Sequence, residues 1–503
     1  MLPCPPIFRI RLRFIGGFSF CSLLQSRALY HLFSGKTANK TKGARSLELK
    51  NFLFSGAFRK PQQSAQLSAF YAGELARWAD IYNGGGDWRW TRRGGLNGGT
   101  RRVAALNAAK ALCAELSRLC FAEGTQIVSP DGETERFLLK TLADNNFWER
   151  FPDFLEKVFA LGGGAVRVYW DGGVKLDFVT AECFVPTVWD GRGISGGAFG
   201  SKIVRGAKSY VLAQTQELTD DGCVIENRLL NENGSPAKLA DVFPDMAERS
   251  VIEGLTKPLF VYFRAGSGSG ESGCGALGTS VFASAEDTLR ELDTVFDSLC
   301  REFVLGKKRI IVPYYAVRGE YDEKGDIKRY FDANDEVFQA MSTTDAEELK
   351  ITDNTAQLRV TEHLEALNAL LDMLCMQAGL SEGALSYKAG SVRTATEVIS
   401  RGSRSYRTQR FYRGLIAAGL ARVAENVCIL GKMGGLLSES ASEKAELAFA
   451  DGVCEDEGTR TDRAVKLYGA GLISRARALS QIYGVSMEEA LAMERTDNNG
   501  NGA

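Results

Sequence analysis

The stretch SAEDTLRELDTVFDSLCREFVL, residues 284–305, decides the fold. Its apolar residues Ala285, Leu289, Leu292, Phe296, Leu299 and Phe303 alternate steps of four and three, the spacing that lines one face of an α-helix. Ser284 with Asp287 three residues on has the form of a capping box, and Gly306 stops the run. A second stretch, VTEHLEALNALLDMLCMQAG at 360–379, repeats the pattern with Val360, Leu364, Leu367, Leu371, Leu374 and Ala378, and Gly379 ends it. Each helix runs for about 20 residues, roughly 30 Å. Between them lies a small β insert: Arg309–Val317, the charged turn Asp322–Asp326, and Ile327–Phe331. Spacing alone leaves two readings open. One is an antiparallel coiled-coil arm within a single subunit. The other is a pair of stem helices repeated around a ring, with the insert at its tip.

Towards the N-terminus the helical period predicts helices over Gln66–Tyr82, Val103–Ala122, Glu133–Asn145 and Phe147–Leu161. From Gly162 the period drops to two. Ala165–Tyr169, Val174–Val179, Lys202–Val204, Ser209–Thr215, Cys223–Leu230 and Leu259–Arg264 read as strands between Gly/Asp turns. Towards the C-terminus, Thr394-Ala395-Thr396-Glu397 is a capping box opening a helix to about Leu430. Arg401, Arg404, Arg407, Arg410 and Arg413 follow at steps of three. Such steps drift by about 60° each, so these arginines spiral round the rod, an arrangement for several contacts or for solvation. Residues 431–442 read as a linker, followed by helices over Arg460–Ala470 and Ser474–Tyr483 and a short one from Val485.

Composition narrows the classes. The 503 residues are 45% apolar and 24% charged, ordinary for a globular chain of about three domains. Glycine, 54 residues, exceeds the usual ~7% and implies many turns. Eleven of the 61 basic residues but only one acid, Glu48, fall in residues 1–60, so that arm carries +10 and the rest −11. Basic residues 9–13 ahead of the apolar Phe14–Leu24 give the arm a signal-peptide flavour. The many free thiols argue for a disordered extension or a misassigned upstream start instead. Two histidines, His31 and His363, exclude a His-rich metal site. The eleven cysteines come no closer than Cys113 and Cys120, which excludes zinc ribbons and thioredoxin-type sites and suits a reducing compartment. No run of 18 apolar residues is present, so no membrane span is expected.

Two motifs mislead. Gly268-Ser269-Gly270-Glu271-Ser272-Gly273 satisfies GxGxxG after a strand, but the next helix opens near residue 280, and Glu291 and Asp293 lie inside it. A dinucleotide site needs the helix to open within the motif. Gly193-Ile194-Ser195-Gly196-Gly197 satisfies GxSxG, but its flanks are turns and the only later histidine is mid-helix. No GxxxxGK[ST] is present, so a nucleotide-driven motor has no anchor.

The ordered set of segments resembles the portal proteins of tailed double-stranded DNA phages, the branch of siphophages and prophages of Gram-positive hosts. The pieces are WADIYNG (78–84) before Trp88, AKALCAE (109–115), ALGGGAVRVY (160–169), PLFVYFR (258–264), GTSVFASA (278–285), Leu292-Asp293, EFVLGK (302–307), GLS (379–381), TATEV (394–398), GLIS (471–474) and Tyr483-Gly484. The resemblance covers about 67–495 and leaves the arm out.

It implies an α+β portal fold, mainly helical, with an α/β wing, helical stem, small β clip and helical crown. Residues 1–66 are then a basic extension expected to be disordered, and 67–278 the wing. Residues 279–306 and 358–379 are stem helices and 307–357 the clip. Residues 380–393 are the tunnel loop, 394–431 the long wing helix, and 432–503 the crown with a polar tail. The implied function is a ring, twelve-fold in the particle, at one capsid vertex: the conduit for genome packaging and ejection and the dock for terminase and head–tail adaptors. No enzyme activity, cofactor, metal or membrane is implied. Implied partners are further copies, the terminase large subunit, a head–tail adaptor, major capsid and scaffolding proteins, and double-stranded DNA passing without sequence preference. The setting is the virion, with the host cytoplasm during assembly.

The candidate residues follow. Lys388 and Arg393, with Tyr387 bracing, are channel candidates, and Lys307, Lys308 and Arg309 are clip candidates. Leu289, Leu292, Phe296, Leu299, Phe303, Leu364, Leu367, Leu371 and Leu374 are candidates for packing the stem. The other classes kept open are an oligomeric scaffold or minor capsid protein without a channel, and a cytoplasmic enzyme with an unrecognised site.

Overall fold

The computed structural model describes residues 12–14, 62–92, 100–121, 125–190, 193–266, 275–306, strands at 310–311, 318–321, 327–330 and 352–353, and residues 357–386, 395–449, 457–470, 474–483 and 493. The chain divides into two compact units, Met1–Phe121 with Ile127–Leu447, and Ala122–Gln126 with Ala448–Ala503.

The larger unit opens with four helices: α1 (Gln62–Tyr82), α2 (Ala108–Cys120), α3 (Gly132–Asp144) and α4 (Phe147–Leu161). Each turns its periodic apolar residues inward. Leu75, Trp78 and Ile81 of α1, Leu112, Leu116 and Cys120 of α2, and Phe147, Phe151, Phe154 and Phe159 of α4 are buried. The Asp131 carboxylate accepts from the Glu133 amide at 3.2 Å, so α3 starts on a side-chain cap. Helix α2 starts five residues later than its apolar period suggests.

The strands follow: β1 (Gly163–Trp170), β2 (Val174–Thr180), β3 (Phe184–Asp190), β4 (Gly193–Arg205), β5 (Lys208–Thr219), β6 (Gly222–Asn231), β7 (Arg249–Glu253) and β8 (Phe260–Arg264). β8, β1 and β2 form one antiparallel sheet, with β1 central. Among the described residues the larger sheet has seven strands in the order Leu12–Phe14, β7, β6, β5, β4, β3, with Pro236–Ala237 added on β6. Strands β3 and β7 were not in the sequence reading. β3 buries only its first three residues and alternates half-buried and exposed beyond, and β7 is half-buried after the exposed Arg249, so neither shows a buried–exposed alternation along its whole length. Leu12–Phe14 is the one strand described within the basic arm. Ser195 lies inside β4 and not on the strand–helix turn that a nucleophile elbow needs. The GxGxxG residues 268–273 lie outside the described residues.

Ala165, Val179, Phe184, Phe199 and Phe260 pack where the two sheets meet. Arg167 ties them by polar contacts: its guanidinium meets Asp177 at 2.7 Å and the Gln214 side-chain oxygen at 2.6 Å.

The helices α5 (Glu286–Leu305), α6 (Val360–Gln377) and α7 (Ala395–Met433) complete the unit. The expected Ser284 cap on α5 is corrected: α5 is preceded by a 3-10 turn, Ala283–Ala285, and no side chain caps it. Ser280 supplies the turn instead, its hydroxyl accepting from the Phe282 amide at 3.3 Å. Between α5 and α6, Ile310–Ile311 pairs with Thr352–Asp353, and Arg318–Tyr321 pairs with Ile327–Tyr330 as a hairpin. Residues 322–326 of the expected charged turn lie outside the described residues.

The segment Arg404–Met433 of α7 has the length and apolar content of a membrane-crossing helix. Its apolar side is spent on the core: Ile416, Leu420, Val423, Val427 and Cys428 are buried, and the helix packs on β8 and β1. A methyl group at Gly419 would sit 2.4 Å from the Phe263 ring, and that ring is packed against Phe151 and Phe154 at 5.7 and 5.9 Å. The smaller unit contains α8 (Glu457–Gly469) and α9 (Arg475–Tyr483), which pack on each other with Ala464 and Ala478 buried.

Gly419→Val forces this aromatic cluster apart and lowers stability by about 1–3 kcal/mol, the usual cost of overpacking. Thermal unfolding checks it. A midpoint equal to that of the unmodified chain would place α7 farther from the sheet.

Candidate functional site

The helices α5 and α6 pack antiparallel. The Thr288 hydroxyl near the start of α5 donates to the Gln377 side-chain oxygen at the end of α6, 2.9 Å. At the other end Arg359 meets Glu302 at 3.0 Å. That guanidinium pulls the Glu302 carboxyl down to about 2. Leu289 and Leu292 on α5 and Leu367, Leu371 and Leu374 on α6 are buried. Phe296 and Leu299 are half-buried. Phe303 and Leu364 are exposed in the single chain, as are Val304 and Leu305. The predicted seam is therefore buried within one chain where α5 begins and α6 ends, and open where α5 ends and α6 begins.

The sequence reading missed what fixes the first half of α5. Asp293 and Asp297, one helical turn apart, are buried at 3% and 7% exposure. One Asp293 oxygen accepts from the Trp88 indole N–H at 2.9 Å and pairs with Arg89 at 3.0 Å. The other accepts from the Leu106 amide at 2.9 Å. Arg101 grips Asp297 with two parallel N–H groups, at 2.6 and 2.7 Å, and the Ala104 amide donates to it at 2.9 Å. Arg89 is itself buried and also donates to the Gly84 carbonyl at 2.6 Å. The Arg290 guanidinium lies over the Trp88 ring, 5.6 Å from its centre.

Burial pushes the Arg89 pKa down and Asp293 pushes it back up. Hydrogen bonds from Arg101 hold the Asp297 carboxyl below its usual range. The late start of α2 follows from Asn107, which is left-handed at φ +61 directly before Ala108, while residues 104 and 106 ahead of it donate to α5. A sequence signal existed: two acids four apart beside an otherwise apolar helix face, and arginines at 89 and 101.

The turn after α6 is equally specified. Gly379 has φ +77, and the Thr408 hydroxyl donates to its carbonyl at 2.6 Å. Ser381 and Ser405 bond each other's amides reciprocally at 2.8 and 3.1 Å. These contacts join α6 to α7 across the start of the predicted tunnel loop. The channel candidates Tyr387, Lys388 and Arg393, the clip candidates Lys307, Lys308 and Arg309, and the cap Thr394 lie outside the described residues. The described cysteines are free thiols. Among the described residues no group of three or more His, Cys, Asp or Glu could hold a metal.

Removing the Asp293 carboxylate strands a buried guanidinium. Asp293→Ala therefore costs about 3–5 kcal/mol, read by thermal unfolding together with a shift in Trp88 fluorescence. For Asp297 the sign follows from its lowered pKa. Its contribution is complete above the usual aspartate value of about 3.9 and disappears as pH falls through the lower folded value. Asp297→Asn should remove that part of the acid limb in a midpoint-against-pH series from 7 to 3. An unchanged limb would mean that Asp297 does not bear on acid stability.

Residues 72–242 and 246–502 match the family model described as phage portal protein, SPP1 Gp6-like. The search of curated proteins finds no match. Solved structures that align with this chain include two particle structures. One is the virion of a native gene transfer agent particle, at 14% identity over 75% of this chain and 89% of that one, TM-score 0.41. The other is the neck of an empty gene transfer agent particle computed with C6 symmetry, at 13% identity over the same shares, TM-score 0.40. With the family model spanning nearly all of the chain beyond the basic arm, this α+β chain belongs to the SPP1 Gp6-like family of phage portal proteins.

Proposed function

We propose that the chain is the subunit of a portal ring, twelve-fold in the particle, set at one vertex of the capsid. The ring is the conduit through which the genome is packaged and ejected, and it docks the terminase large subunit and later a head–tail adaptor. It sits among major capsid and scaffolding proteins in the virion, is assembled in the host cytoplasm, and catalyses no reaction. The observation that carries this reading is the family match, which spans both stem helices and all that lies between them.

The physics is consistent with it. The chain beyond residue 60 is net −11. A wall dense in Lys and Arg would bind DNA by counterion release and stall it, whereas an acidic wall with few cations lets it slide. In this reading α5 and α6 are the stem and 307–357 is the clip, with Lys307, Lys308 and Arg309 meeting the docking partners. Residues 380–393 form the tunnel loop, with Lys388 and Arg393 touching passing phosphates and Tyr387 bracing them. The exposed Phe303 and Leu364 take their cover from a neighbouring copy.

Negative-stain images of the purified chain should show rings with a central hole; closed assemblies without a hole would favour the scaffold reading. Phe303→Asp with Val304→Asp should leave the protomer folded by circular dichroism and abolish rings. Leu292 is fully buried within one chain, so a charge there tests folding and not assembly. Lys388→Glu should leave rings intact and shorten the packaged DNA or weaken its retention. A phage with that change and normal packaging and retention would remove Lys388 from the channel. Reversing the charges of Lys307, Lys308 and Arg309 should weaken partner docking with rings intact.

A further inference from the structure

Helix α7 is two-faced between residues 404 and 416. Gln409, Tyr412 and Ile416 are buried, and the Gln409 side-chain amide donates to the Leu119 carbonyl at 2.8 Å. Arg404, Tyr406, Arg407, Arg410, Phe411 and Gly414 are exposed. At 100° per residue these six occupy an arc of about 160°. The expected spiral of arginines is thus narrower where it is described: Arg404, Arg407 and Arg410 fan across one exposed half, while Arg413 is half-buried. Between Glu397 and Glu425 the sequence has no acid at all. The face is a cationic island on a net-acidic body. It also exposes two aromatic rings, Tyr406 at 51% and Phe411 at 55%.

Arginine beside exposed aromatics is the composition of protein contact surfaces. A duplex backbone would reward the guanidinium groups but leave Phe411 uncovered, and stacking on the rings needs splayed bases. A second copy of this chain supplies the complementary charge, because the chain beyond the arm carries 61 acidic residues against 50 basic ones. We infer that the Arg404–Phe411 face is a contact between copies that receives a carboxylate-bearing surface of a second copy. The inference rests on the ring reading only in expecting copies to assemble. It names a contact on the wing helix, apart from the stem.

The test uses the full chain. Phe411→p-benzoylphenylalanine is photo-activated in a mixture of isotopically heavy and light copies. Heavy–light cross-linked peptides that contain Asp or Glu are expected. Arg404→Glu with Arg410→Glu should lower the assembled fraction at least tenfold at unchanged thermal midpoint. Arg404→Lys with Arg410→Lys should retain most of it, and rising salt should weaken assembly of the unmodified chain. Cross-links confined to one chain, or full assembly of the double Glu variant, would overturn the inference. So would a Phe411 cross-link to added polynucleotide, with the double Glu variant losing polynucleotide binding and not assembly. The two readings fail separately. Heavy–light cross-links in assemblies without a central hole would sink the portal reading alone, and rings that do not involve this face would sink the inference alone.

Discussion

Two carboxylates taken out of water on one helix set the terms for everything around them. A buried carboxylate needs donors in place of its water, and the donors named above for Asp293 and Asp297 come from outside their own helix. The segment 88–106 supplies them: an indole, two guanidinium groups and two backbone amides. That demand dictates its shape. Residues 104 and 106 aim their amides at α5, and the left-handed Asn107 then turns the chain into α2. Arg101 must come from the strand Thr100–Arg102, which pairs with Trp90–Arg92. The first half of α5 is thereby held to the helical part of the larger unit by geometry that apolar packing alone does not provide.

The second half of α5 is under a different regime. Beyond Asp297 its polar tie to α6 is the Glu302–Arg359 pair, whose arginine is exposed, and water screens such a pair so that it adds little. Its last residues Phe303, Val304 and Leu305 face water. One helix thus has a specified end and a permissive end. The permissive end leads into 307–357, the segment assigned above to partner docking. A site that must accept partners gains from a support that can adjust, while the specified end keeps such adjustment out of the core.

The sequence made the large pattern legible because the pattern is a burial pattern. The steps of four and three located α5 and α6, and α4 was read at its observed limits, since Phe147 to Leu161 bury one continuous face and Gly162 stops it. Local chemistry was less legible. Ser284 has the right spacing for a cap, but a 3-10 turn built on Ser280 takes the helix start first. Strands β3 and β7 do not alternate along their whole length because each is covered only in part. The carboxylate grip was invisible for a deeper reason. Its partners are about 190 to 205 residues apart in the chain, and an acid beside an apolar face reads as solvated until the fold brings an arginine to it. The arginine run posed the reverse problem: its period was plain, but which members face out depends on what covers α7.

The two open surfaces, the distal end of α5 and the cationic half of α7, differ in what they ask of a partner. The distal end of α5 and α6 exposes Phe303, Val304, Leu305 and Leu364 beside Arg301, Arg359, Glu362 and Glu365, so water release drives the burial of its apolar part. The α7 face joins guanidinium groups to two rings, so its attraction is screened by ions while its apolar part is not. In the proposed ring, contacts through both would combine a guanidinium-rich joint at α7 with a more apolar one at the end of α5. Such a division lets copies be oriented by charge during encounter and held afterwards by apolar contact. It also accounts for arginine, and not lysine, at 404, 407 and 410. A planar guanidinium stacks on rings and pairs with carboxylates in two-pronged fashion, which a point-charge ammonium does not.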